Sequence, residues 1–490
     1  MPGHPRIRPR TPSGAPVESC TVTTDLSSSF KAYDVRGIVG ESITAESVRA
    51  TGAAFVDVLG LTGSSVVVGG DMRPSSPEFI EAFADGATRR GADVTVIGSI
   101  STDELYFACG TLDCAGATFT ASHNPAQYNG IKMAKAGAVP VSSDTGLYEI
   151  RDTAQRYLDS GEIPAADHRG QVTRRDVLGD YAHYLRSLVD LSGIRPLKVV
   201  VDAGNGMAGL TTPAVLGDAL LDALPLEIVP LYFELDGTFP NHPANPLEPA
   251  NLVDLQKAVR EHGADIGLAF DGDADRCFVV DQDGEPVSPS AVAAIVAERE
   301  IARARAAGEE QPAVIHNLIT SKAVPELIEA NGGRAVRTRV GHSFIKAVMA
   351  SEHAVFGGEH SAHYYFKDFF NADTGMLAAM HVLAALGEQD GTLSDLMDRY
   401  DPYVASGEIN SEIEDKAAAV DRVRAHFAST DPAVTVEDMD GTTFTHPTQG
   451  WWFNLRPSNT EPFLRLNAEA PDTAAMEAVR DTVLGIVRQG

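Results

Sequence analysis

Four short segments of the sequence carry residues that can do chemistry, and the first is built around a serine. Residues 120–125 read Thr-Ala-Ser-His-Asn-Pro and follow a β-rich run at 116–119. That run predicts a strand that delivers Ser122 into a loop. A serine nucleophile needs a neighbouring base or a positive field, and His123 and Lys132 can supply both. The segment is therefore a candidate for nucleophilic catalysis.

The local sequence predicts a loop across this segment. Pro125 and the pair Asn129-Gly130 are typical of turns, so we expect a loop and not a helix here. The alternative to a catalytic role is a structural turn, in which Ser and Asn side chains bond their own backbone. This segment alone does not separate the two interpretations.

A second segment carries three carboxylates at alternate positions. Asp271, Asp273 and Asp275 follow an apolar run at 266–270 that predicts a buried strand, and sites of α/β proteins form at such strand ends. Three carboxylates this close repel one another unless a cation lies among them, and Mg²⁺ prefers oxygen ligands. The pattern favours a metal site over a solvated acidic turn.

Two other motifs fit these carboxylates less well. An EF-hand loop beginning at Asp271 needs Gly at its sixth position and Glu at its twelfth, where this chain has Arg276 and Gln282. An aspartyl-phosphate phosphatase would use Asp271 as its nucleophile and normally has Thr or Val just past the second Asp. Ala274 stands there instead, so this interpretation is also weak.

The third segment, Gly-Gly-Glu-His-Ser-Ala-His at residues 357–363, combines polar groups with two glycines. Glu359 and Ser361 offer acceptors and a donor for sugar hydroxyls, and His363 can hold or pass a proton near neutral pH. The glycines would let a ligand approach the backbone. The alternative is a strand whose polar residues face solvent, and the pattern favours a binding role.

The fourth segment, Arg-Pro-Ser-Asn-Thr-Glu-Pro at residues 456–462, lies between two strand-like runs. Arginine binds phosphate oxygens in a bidentate manner, and hydroxyl, amide and backbone N–H groups can complete a cradle. The spacing is not that of a nucleotide-binding P-loop. An ordinary polar hairpin turn is the alternative.

The elements that must position these segments repeat three times. Each repeat has a buried strand, a polar turn, a helix and a second β-rich run, which indicates βαβ units and sheets with parallel pairs. The first strands are expected at 65–70, 198–201 and 313–316, and the second runs at 92–97, 226–233 and 335–340.

After about residue 400 the alternation ends. A helix is expected at 415–427, strands at 433–436, 451–455 and 463–467, and a final helix at 473–488. The sequence therefore predicts an α/β protein of three similar α/β domains with mixed sheets, plus a smaller C-terminal α+β domain. The predicted division is a disordered tail at 1–27 followed by four domains at 28–175, 176–285, 286–400 and 401–490. In order, these domains carry the serine loop (residues 120–125), the metal loop (271–275), the sugar loop (357–363) and the phosphate loop (456–462).

Charge and composition restrict the partners. The 490 residues include 39 Lys and Arg against 68 Asp and Glu, a net charge of −29, which argues against nucleic acid and anionic membranes as partners. No apolar run approaches the roughly 20 residues of a membrane span. Four cysteines give no disulfide framework in a chain this long and suit a cytoplasmic protein with reduced thiols. The oligomeric state is not indicated.

Taken together and in this order, the four segments resemble the α-D-phosphohexomutase superfamily, specifically its bacterial phosphomannomutase/phosphoglucomutase branch. Residues 30–37 and 236–242 share the resemblance, which covers the chain from about residue 28 to its end. It implies three related α/β domains and a smaller fourth around a central cleft. It also implies an isomerase that interconverts hexose 6-phosphate and hexose 1-phosphate through a phosphoserine, with a hexose 1,6-bisphosphate as intermediate and activator.

The same resemblance implies roles for individual residues. Ser122 would carry the phosphoryl group, and its phosphate with Asp271, Asp273 and Asp275 would hold Mg²⁺. Other positions implied to act are Arg36, His123, Lys132, Arg276 and His363 in transfer, His342, Glu359 and Ser361 in substrate binding, and Arg456, Ser458, Asn459 and Thr460 on the phosphate that is not reacting.

Departures from the family pattern bear on the sugar. Dual-specificity members usually have Met and Gly where this chain has His360 and Ala362, and their transfer-assisting lysine aligns near Ile319, with Lys322 out of register. The sugar loop most resembles those of actinobacterial phosphomannomutases. Mannose is therefore the expected sugar and glucose the alternative, since the two differ only at C2.

Two further functions remain as alternatives. A phosphoglucosamine mutase would share fold, serine and metal and differ mainly in the sugar loop. A sugar-phosphate phosphatase would release the phosphoryl group to water without a bisphosphate requirement. A non-catalytic sugar-phosphate sensor could dispense with Ser122 and the three aspartates, so their joint presence argues against it.

Overall fold

The computed structural model describes residues 25–458 and 462–489, without the side chains of residues 342–344. Three mixed sheets with helices are followed by a fourth, antiparallel sheet with helices. The predicted fold class, three α/β domains and a C-terminal α+β domain, is confirmed. Most of the predicted disordered tail lies outside the described residues.

The first sheet carries the serine loop at the end of its central strand β4. Its strands are β1 (Val35–Ile38), β2 (Ser65–Gly70), β3 (Asp93–Ser99), β4 (Ala115–Phe119), β5 (Tyr128–Lys135), β6 (Val139–Pro140) and β7 (Val172–Arg174). They lie in the order β1-β5-β4-β2-β3-β7, with β6 on β5; β2 is parallel to β3 and β4, and β5 is antiparallel to β4. The helices are α1 (Ala45–Leu59), α2 (Ser76–Arg89), α3 (Thr102–Thr111) and α4 (Leu147–Ser160).

The turn predicted at Asn129-Gly130 is wrong, because both residues lie inside strand β5. A Cβ on Gly130 would come within 2.2 Å of the Val35 carbonyl oxygen, so the glycine serves the close approach of β1 and β5 and not a turn. The Asn129 side chain still bonds its own backbone, since its Oδ1 accepts from Gly130 N at 2.7 Å. Lys132 consequently projects from a strand.

The second sheet ends in the metal loop. Its elements are α5 (Leu178–Leu188), β8 (Leu197–Asp202), α6 (Ala208–Val215), β9 (Leu226–Leu231), α7 (Val253–His262), β10 (Ile266–Phe270), β11 (Cys277–Asp281) and β12 (Pro286–Val287). The order is β12-β11-β10-β8-β9, with β8 parallel to both neighbours and β10 antiparallel to β11. The three aspartates lie in the tight connection from β10 to β11.

The third sheet carries the sugar loop between β15 and β16. Its elements are α8 (Pro289–Ala306), β13 (Ala313–Asn317), α9 (Ala323–Ala330), β14 (Arg334–Thr338), α10 (His342–Glu352), β15 (Phe356–Gly358), β16 (Tyr364–Phe366), β17 (Ala372–Asp373), α11 (Gly375–Gly387) and α12 (Leu393–Met397). The order is β14-β13-β15-β16-β17.

The sequence suggested that the two glycines of the sugar loop, Gly357 and Gly358, let a ligand approach the backbone, but the structure gives them a packing role. Both lie in β15 beneath packed helices. A Cβ on Gly357 would meet Ile345 of α10 at 3.0 Å, and one on Gly358 would meet Ala293 of α8 at 2.8 Å. These glycines therefore let helices pack closely on both faces of the strand.

The fourth sheet is antiparallel throughout its described pairs. Its elements are β18 (Val404–Glu412), α13 (Lys416–Thr430), β19 (Thr435–Asp438), β20 (Thr442–Thr445), β21 (Trp452–Pro457), β22 (Phe463–Ala470) and α14 (Thr473–Val487). The order is β18-β22-β21-β20-β19. Edge strand β18 is absent from the prediction.

One apolar cluster spans parts of the first three domains, and the first and third domains each have a further, separate cluster. The shared cluster includes Val67 and Tyr106 of the first domain, Val199 and Leu268 of the second, and Val314 and Phe356 of the third. The fourth domain packs around its own cluster near Phe453. The first three loops are thus fixed on one shared body. The predicted domain boundaries stay predictions. Within the described part of the chain, no helix is both long and apolar enough to cross a membrane.

Candidate active site

Ser122 occupies a strained and buried position at the end of β4. Its φ is +48°, in the left-handed region, which costs a residue other than glycine about 1–3 kcal/mol. The side chain is 4% exposed. Ser122 Oγ donates to Asp271 Oδ2 at 2.8 Å and lies 3.2 Å from His123 Nδ1. The serine hydroxyl therefore faces the metal loop across the boundary between the first two sheets.

The three aspartates converge on one point. One carboxylate oxygen from each of Asp271, Asp273 and Asp275 lies within 4.8 Å of the others, and all three residues are buried. Lys132 Nζ contacts Asp273 Oδ2 at 2.7 Å and Asp275 Oδ2 at 2.6 Å. Arg276 Nη2 contacts Asp271 Oδ2 at 2.8 Å. Two cations thus neutralise part of the charge of three carboxylates.

The donor set fits a hard divalent cation. Asp273 Oδ1 and Asp275 Oδ1 are buried and have no hydrogen-bond partner among the described residues. Leaving a buried acceptor unsatisfied costs about 1–3 kcal/mol, more when it is charged. Mg²⁺ and Ca²⁺ both bind carboxylate oxygens, so a cation bound here would satisfy these two atoms and the remaining negative charge.

Neighbouring aspartates differ in their titration. Burial raises the pKa of Asp271 to about 7 despite the opposing charge of Arg276. Burial would also raise the pKa of Asp273, but Lys132 and the hydroxyl of Thr102 outweigh it and lower the pKa well below its usual range. Asp273 is consequently an anion at neutral pH, whereas Asp271 is the carboxylate beside Ser122 that most readily takes a proton.

His123 is a neutral acceptor. Burial, Arg276 and Arg36 together lower its pKa to about 3, and Arg276 Nη2 lies 2.6 Å from its Nδ1. A guanidinium can only donate, so Nδ1 accepts and the ring proton is on Nε2. Arg36 reaches the same loop, donating to Asn124 Oδ1 at 2.8 Å and to Asp34 Oδ2 at 2.6 Å.

His363 joins the sugar loop to the metal loop. Its Nδ1 lies 3.0 Å from Asp373 Oδ2 and 4.0 Å from Asp275 Oδ1. Burial alone would lower the pKa of His363, but the hydrogen bond to Asp373 and the charge of Asp275 raise it overall. Backbone pairing of Arg276 with His363 holds the two loops together.

The remaining sugar-loop residues shape a tight turn. Glu359 is 2% exposed; its Oε1 accepts from Gly341 N at 3.1 Å and Asn317 Nδ2 at 3.2 Å, and its Oε2 accepts from Tyr365 at 2.8 Å. Ser361 lies half-buried at the tip of the turn. The side chain of His342 lies outside what the structure describes.

The phosphate loop is described only in part. Arg456 is at the end of β21, 16% exposed, with Glu408 at 3.6 Å and Asp440 at 3.9 Å. Ser458 N donates to Phe463 O, and Ser458 O accepts from Lys416 Nζ at 3.2 Å. Asn459 and Thr460 lie outside the described residues. Thus the structure joins the serine, metal and sugar loops directly, whereas the contacts of Arg456 are within its own domain.

Sequence reasoning missed several groups of the site. Thr102 Oγ1 donates to Asp273 Oδ2 at 2.6 Å, Asp373 orients His363, and Lys416 adds a cation beside Ser458. Thr102 follows a strand in the first repeat, and comparing the equivalent turns of the repeats could have drawn attention to it. Asp373 and Lys416 carried no such signal, because only tertiary packing brings them to the site.

The helix end that carries Thr102 also buries two acids. Glu104, 1% exposed, accepts from Ser101 N at 2.9 Å, and burial raises its pKa from 4.5 to about 8. Asp103 accepts from Tyr181 and from Thr374 Oγ1, both at 2.6 Å. Asp103 thereby ties the first domain to the second and third, next to the metal loop.

We expect Glu104 to make stability depend on pH. The folded state holds the Glu104 proton more tightly than the unfolded chain, so its contribution is fully present below about pH 4.5 and is lost as the pH rises through about 8. Glu104→Gln should keep the bond from Ser101 N, raise Tm relative to wild type at pH 8.5 and change it little at pH 5. Thermal denaturation across this range tests it; an equal shift at both pH values would contradict it.

Comparisons with known proteins identify the family of the chain. Four domain models of the phosphoglucomutase/phosphomannomutase family match the chain in order. Those described as alpha/beta/alpha domains I, II and III match residues 27–159, 179–284 and 288–403, and the C-terminal domain matches residues 408–486.

Individual relatives match over nearly their whole length. "Phosphohexose mutases" of Xanthomonas campestris pv. campestris is 41% identical over 466 residues, 94% of this chain and 99% of its own. A phosphomannomutase of Salmonella typhimurium is 39% identical over 469 residues, with the same coverage. The crystal structure of a phosphoglucomutase/phosphomannomutase family protein from Burkholderia thailandensis superimposes with a TM-score of 0.81 at 30% identity, covering 94% of this chain and 98% of that one.

The fold and these relatives together define an enzyme of the phosphohexomutase class, an isomerase, as predicted. The chain belongs to the phosphoglucomutase/phosphomannomutase family.

Proposed function

We propose that this enzyme interconverts hexose 6-phosphate and hexose 1-phosphate through a phosphorylated Ser122 and a hexose 1,6-bisphosphate intermediate. The observation that carries the proposal is the position of Ser122 Oγ, 2.8 Å from Asp271 Oδ2 and flanked by Arg276 and His123. An activated serine beside convergent cations is what phosphoryl transfer requires. Phosphate monoester cleavage is among the slowest uncatalysed reactions, so strong charge stabilisation is needed.

The chain's own groups account for the proton and the charge. When Ser122 attacks a phosphoryl group, Oγ gives up the proton that it donates to Asp271 Oδ2 at 2.8 Å, and the departing sugar oxygen gains one. Arg276, Lys132 and Arg36 place positive charge around the transferring oxygens. His123 is already neutral and donates from Nε2. In the reverse transfer, the attacking sugar hydroxyl loses a proton and Oγ regains one as the serine leaves.

Asp271, Asp273, Asp275 and the phosphate on Ser122 would hold Mg²⁺, which supplies further positive charge to the phosphoryl oxygens when bound. Lys132 then has a second task. Its ammonium bridges Asp273 and Asp275 at 2.7 and 2.6 Å, which limits the repulsion between the two carboxylates. The two partnerless Oδ1 atoms support this assignment.

The other loops would hold the substrate. His363, fixed by Asp373, would exchange a proton with the sugar hydroxyl that gains or loses the phosphoryl group. Glu359 has one acceptor position left on Oε2 and with Ser361 would bind ring hydroxyls. His342 would assist, since it follows Gly341, whose backbone N donates to Glu359. Arg456, Ser458, Asn459 and Thr460 would hold the phosphate that is not reacting. The bisphosphate would turn around between the two transfers, so that each of its phosphates would occupy this loop in turn.

Mannose phosphates are the proposed preferred substrates, with glucose phosphates the alternative. Curated relatives at 38–39% identity are named phosphomannomutase, and the sugar loop carries His360, whose Nδ1 contacts Ser290 Oγ at 3.1 Å. The bisphosphate would act as activator. A cytoplasmic location and independence of nucleic acid and membranes stay predictions.

The substrate test is a panel of mannose 1-phosphate, glucose 1-phosphate and glucosamine 1-phosphate, with and without a catalytic amount of hexose 1,6-bisphosphate and with Mg²⁺. We expect isomerisation of mannose 1-phosphate with the highest kcat/KM, stimulated by the bisphosphate. Release of inorganic phosphate with no bisphosphate requirement would instead show a phosphatase, and a preference for the glucosamine substrate would show a phosphoglucosamine mutase.

We also expect substitutions in the phosphate loop and in the sugar loop to have different kinetic effects, the first on kcat/KM for both sugars and the second on the preference between them. A charge-assisted Arg–phosphate contact is worth about 1.5–3 kcal/mol, so Arg456→Ala should lower kcat/KM by roughly tenfold or more at 1.4 kcal/mol per tenfold. The loss should be similar for mannose and glucose substrates, because both carry the same phosphate. Changes at Glu359 or His360 should instead alter the ratio between the sugars.

Steady-state kinetics of each variant on both 1-phosphates measures this. Arg424→Ala is the matched control, since Arg424 is an arginine of the same domain that pairs with Asp438 on the surface; it should change neither quantity. A strong change in sugar preference from Arg456→Ala, with Glu359→Gln lowering both sugars equally, would show that the two loops are wrongly assigned.

A further inference from the structure

Arg73 is buried directly beneath the serine loop. It lies in the turn after β2 and is 1% exposed. Its Nε donates to Asp71 Oδ2 at 3.1 Å, its Nη1 donates to Pro125 O at 2.9 Å and Tyr128 O at 2.8 Å, and its Nη2 donates to Ser122 O at 2.8 Å and Asn124 O at 2.7 Å. These contacts use all five guanidinium N–H donors, four of them on backbone carbonyls of one loop.

These bonds act on the geometry of Ser122 itself. The Ser122 carbonyl oxygen accepts from Arg73, and the Ser122 N–H donates to Thr120 Oγ1 at 2.9 Å. Both peptide groups flanking the residue are therefore fixed while its φ is held at +48°. Backbone in the left-handed region persists only when its surroundings over-determine it, and Arg73 restrains it through the Ser122 carbonyl and three further carbonyls of the same loop.

The second domain closes over Arg73 through the segment 236–242, which the proposed function does not otherwise use. The ring of Phe239 lies 5.2 Å from the guanidinium carbon of Arg73. A Cβ on Gly237 would come within 2.6 Å of Arg73 Cα, so the segment lies directly on the arginine backbone. The segment is anchored in its own domain by Asp236 N donating to Asn205 O at 3.0 Å and by His242 Nε2 near Asp202 Oδ2 at 3.0 Å.

We propose that Arg73 is a positioning residue for phosphoryl transfer: it fixes the strained backbone of Ser122 so that Oγ faces Asp271, and Phe239 of the second domain holds the guanidinium in place. This inference rests on the proposed role of Ser122 as the phosphoryl carrier. Through the contact between Arg73 and Phe239, the order of the serine loop would depend on the packing of the first domain against the second. Lysine cannot replace this arginine, because a single ammonium cannot reach four carbonyls in a fixed plane.

The test compares Arg73→Lys and Phe239→Ala with wild type in kinetics and in amide hydrogen exchange. We expect Arg73→Lys to lower kcat by about a hundredfold, as a small misplacement of a reacting group does, with KM changed by no more than about threefold. Amides of residues 120–130 should exchange roughly tenfold faster. Phe239→Ala should act in the same direction but less, and the double variant should show less than the sum of the two effects.

Arg186→Lys is the matched control, because Arg186 also donates to backbone carbonyls, those of Val215, Gly217 and Asp222, but far from the serine loop in the fold. It should lower Tm and leave kcat and the exchange of 120–130 unchanged. If Arg73→Lys does not fold, the same measurements of kcat, KM and amide exchange on Phe239→Ala test the proposal.

Intact-mass measurement after incubation with a hexose 1,6-bisphosphate keeps the two hypotheses apart. If wild-type Ser122 takes a phosphate and Arg73→Lys matches wild type in kcat and exchange, the positioning role is wrong. If wild-type Ser122 takes none, the proposed function fails, and the exchange data still decide whether Arg73 orders the loop.

Discussion

Replacing Ser122 by alanine should lower mutase turnover by roughly 10³-fold or more, as loss of a covalent nucleophile does. No other described hydroxyl has the combination found at Ser122, a backbone at φ +48° and an Oγ 2.8 Å from Asp271. The fold should survive, because alanine adds no atoms and the strained backbone is held by Arg73. Coupled assays of hexose phosphate isomerisation, together with circular dichroism, measure both outcomes.

Ser142→Ala is the control for this variant. Ser142 is a loop serine of the same domain, 7% exposed, and its side-chain Oγ lies 3.2 Å from Thr145 Oγ1. Its removal should cost some stability and leave turnover unchanged. Full activity in Ser122→Ala, with no phosphate on the protein, would mean that transfer does not pass through Ser122.

The second large effect is expected at the metal loop. Asp273→Asn should weaken Mg²⁺ binding and turnover together, because it removes a buried charge whose Oδ1 has no other described partner. We expect turnover to fall by roughly 10²-fold or more, the scale of losing one preorganised electrostatic contact. Chelator should abolish wild-type turnover and added Mg²⁺ should restore it.

Binding can be measured without turnover. Wild-type Tm should rise with added Mg²⁺, and Asp273→Asn should lose that rise. Asp281→Asn is the matched control, since Asp281 is a buried acid on the same β10–β11 hairpin whose Oδ1 accepts from Asp283 N at 3.0 Å and Glu285 N at 2.8 Å; it should keep the rise. Wild-type turnover that persists after exhaustive chelation would show that the reaction does not require the metal.

The order of elements could be read from the sequence because strand and helix periodicities differ. The six strands of the repeats appear within a few residues of their predicted places, as β8 at Leu197–Asp202 does for 198–201. Edge strand β18 escaped prediction because its side chains are mostly polar and exposed. The turn predicted at Asn129-Gly130 was wrong because residues that form turns also occur where one strand must approach another closely.

The residues of the candidate site also fall into two groups, those that the sequence alone reveals and those that only the structure reveals. Ser122 and the three aspartates stand in contiguous motifs that follow strands, so their types and spacing are visible in one sequence. Arg73 and Asp373 act through partners about 50 and 10 residues away in the chain, and nothing local marks them. Their buried donors and acceptors become meaningful only when three domains bring the loops together.

One measurement tests the central claim most directly: single-turnover transfer of an isotopically labelled phosphoryl group. Enzyme is incubated with hexose 1,6-bisphosphate labelled in one phosphoryl group and freed of excess ligand. One portion is mapped by peptide mass spectrometry, and the intact remainder is mixed with mannose 6-phosphate. We predict that the label is on Ser122 before mixing and in the hexose bisphosphate and monophosphate products after it. Label that never resides on Ser122 while isomerisation proceeds, or that leaves only as inorganic phosphate, would contradict the mechanism.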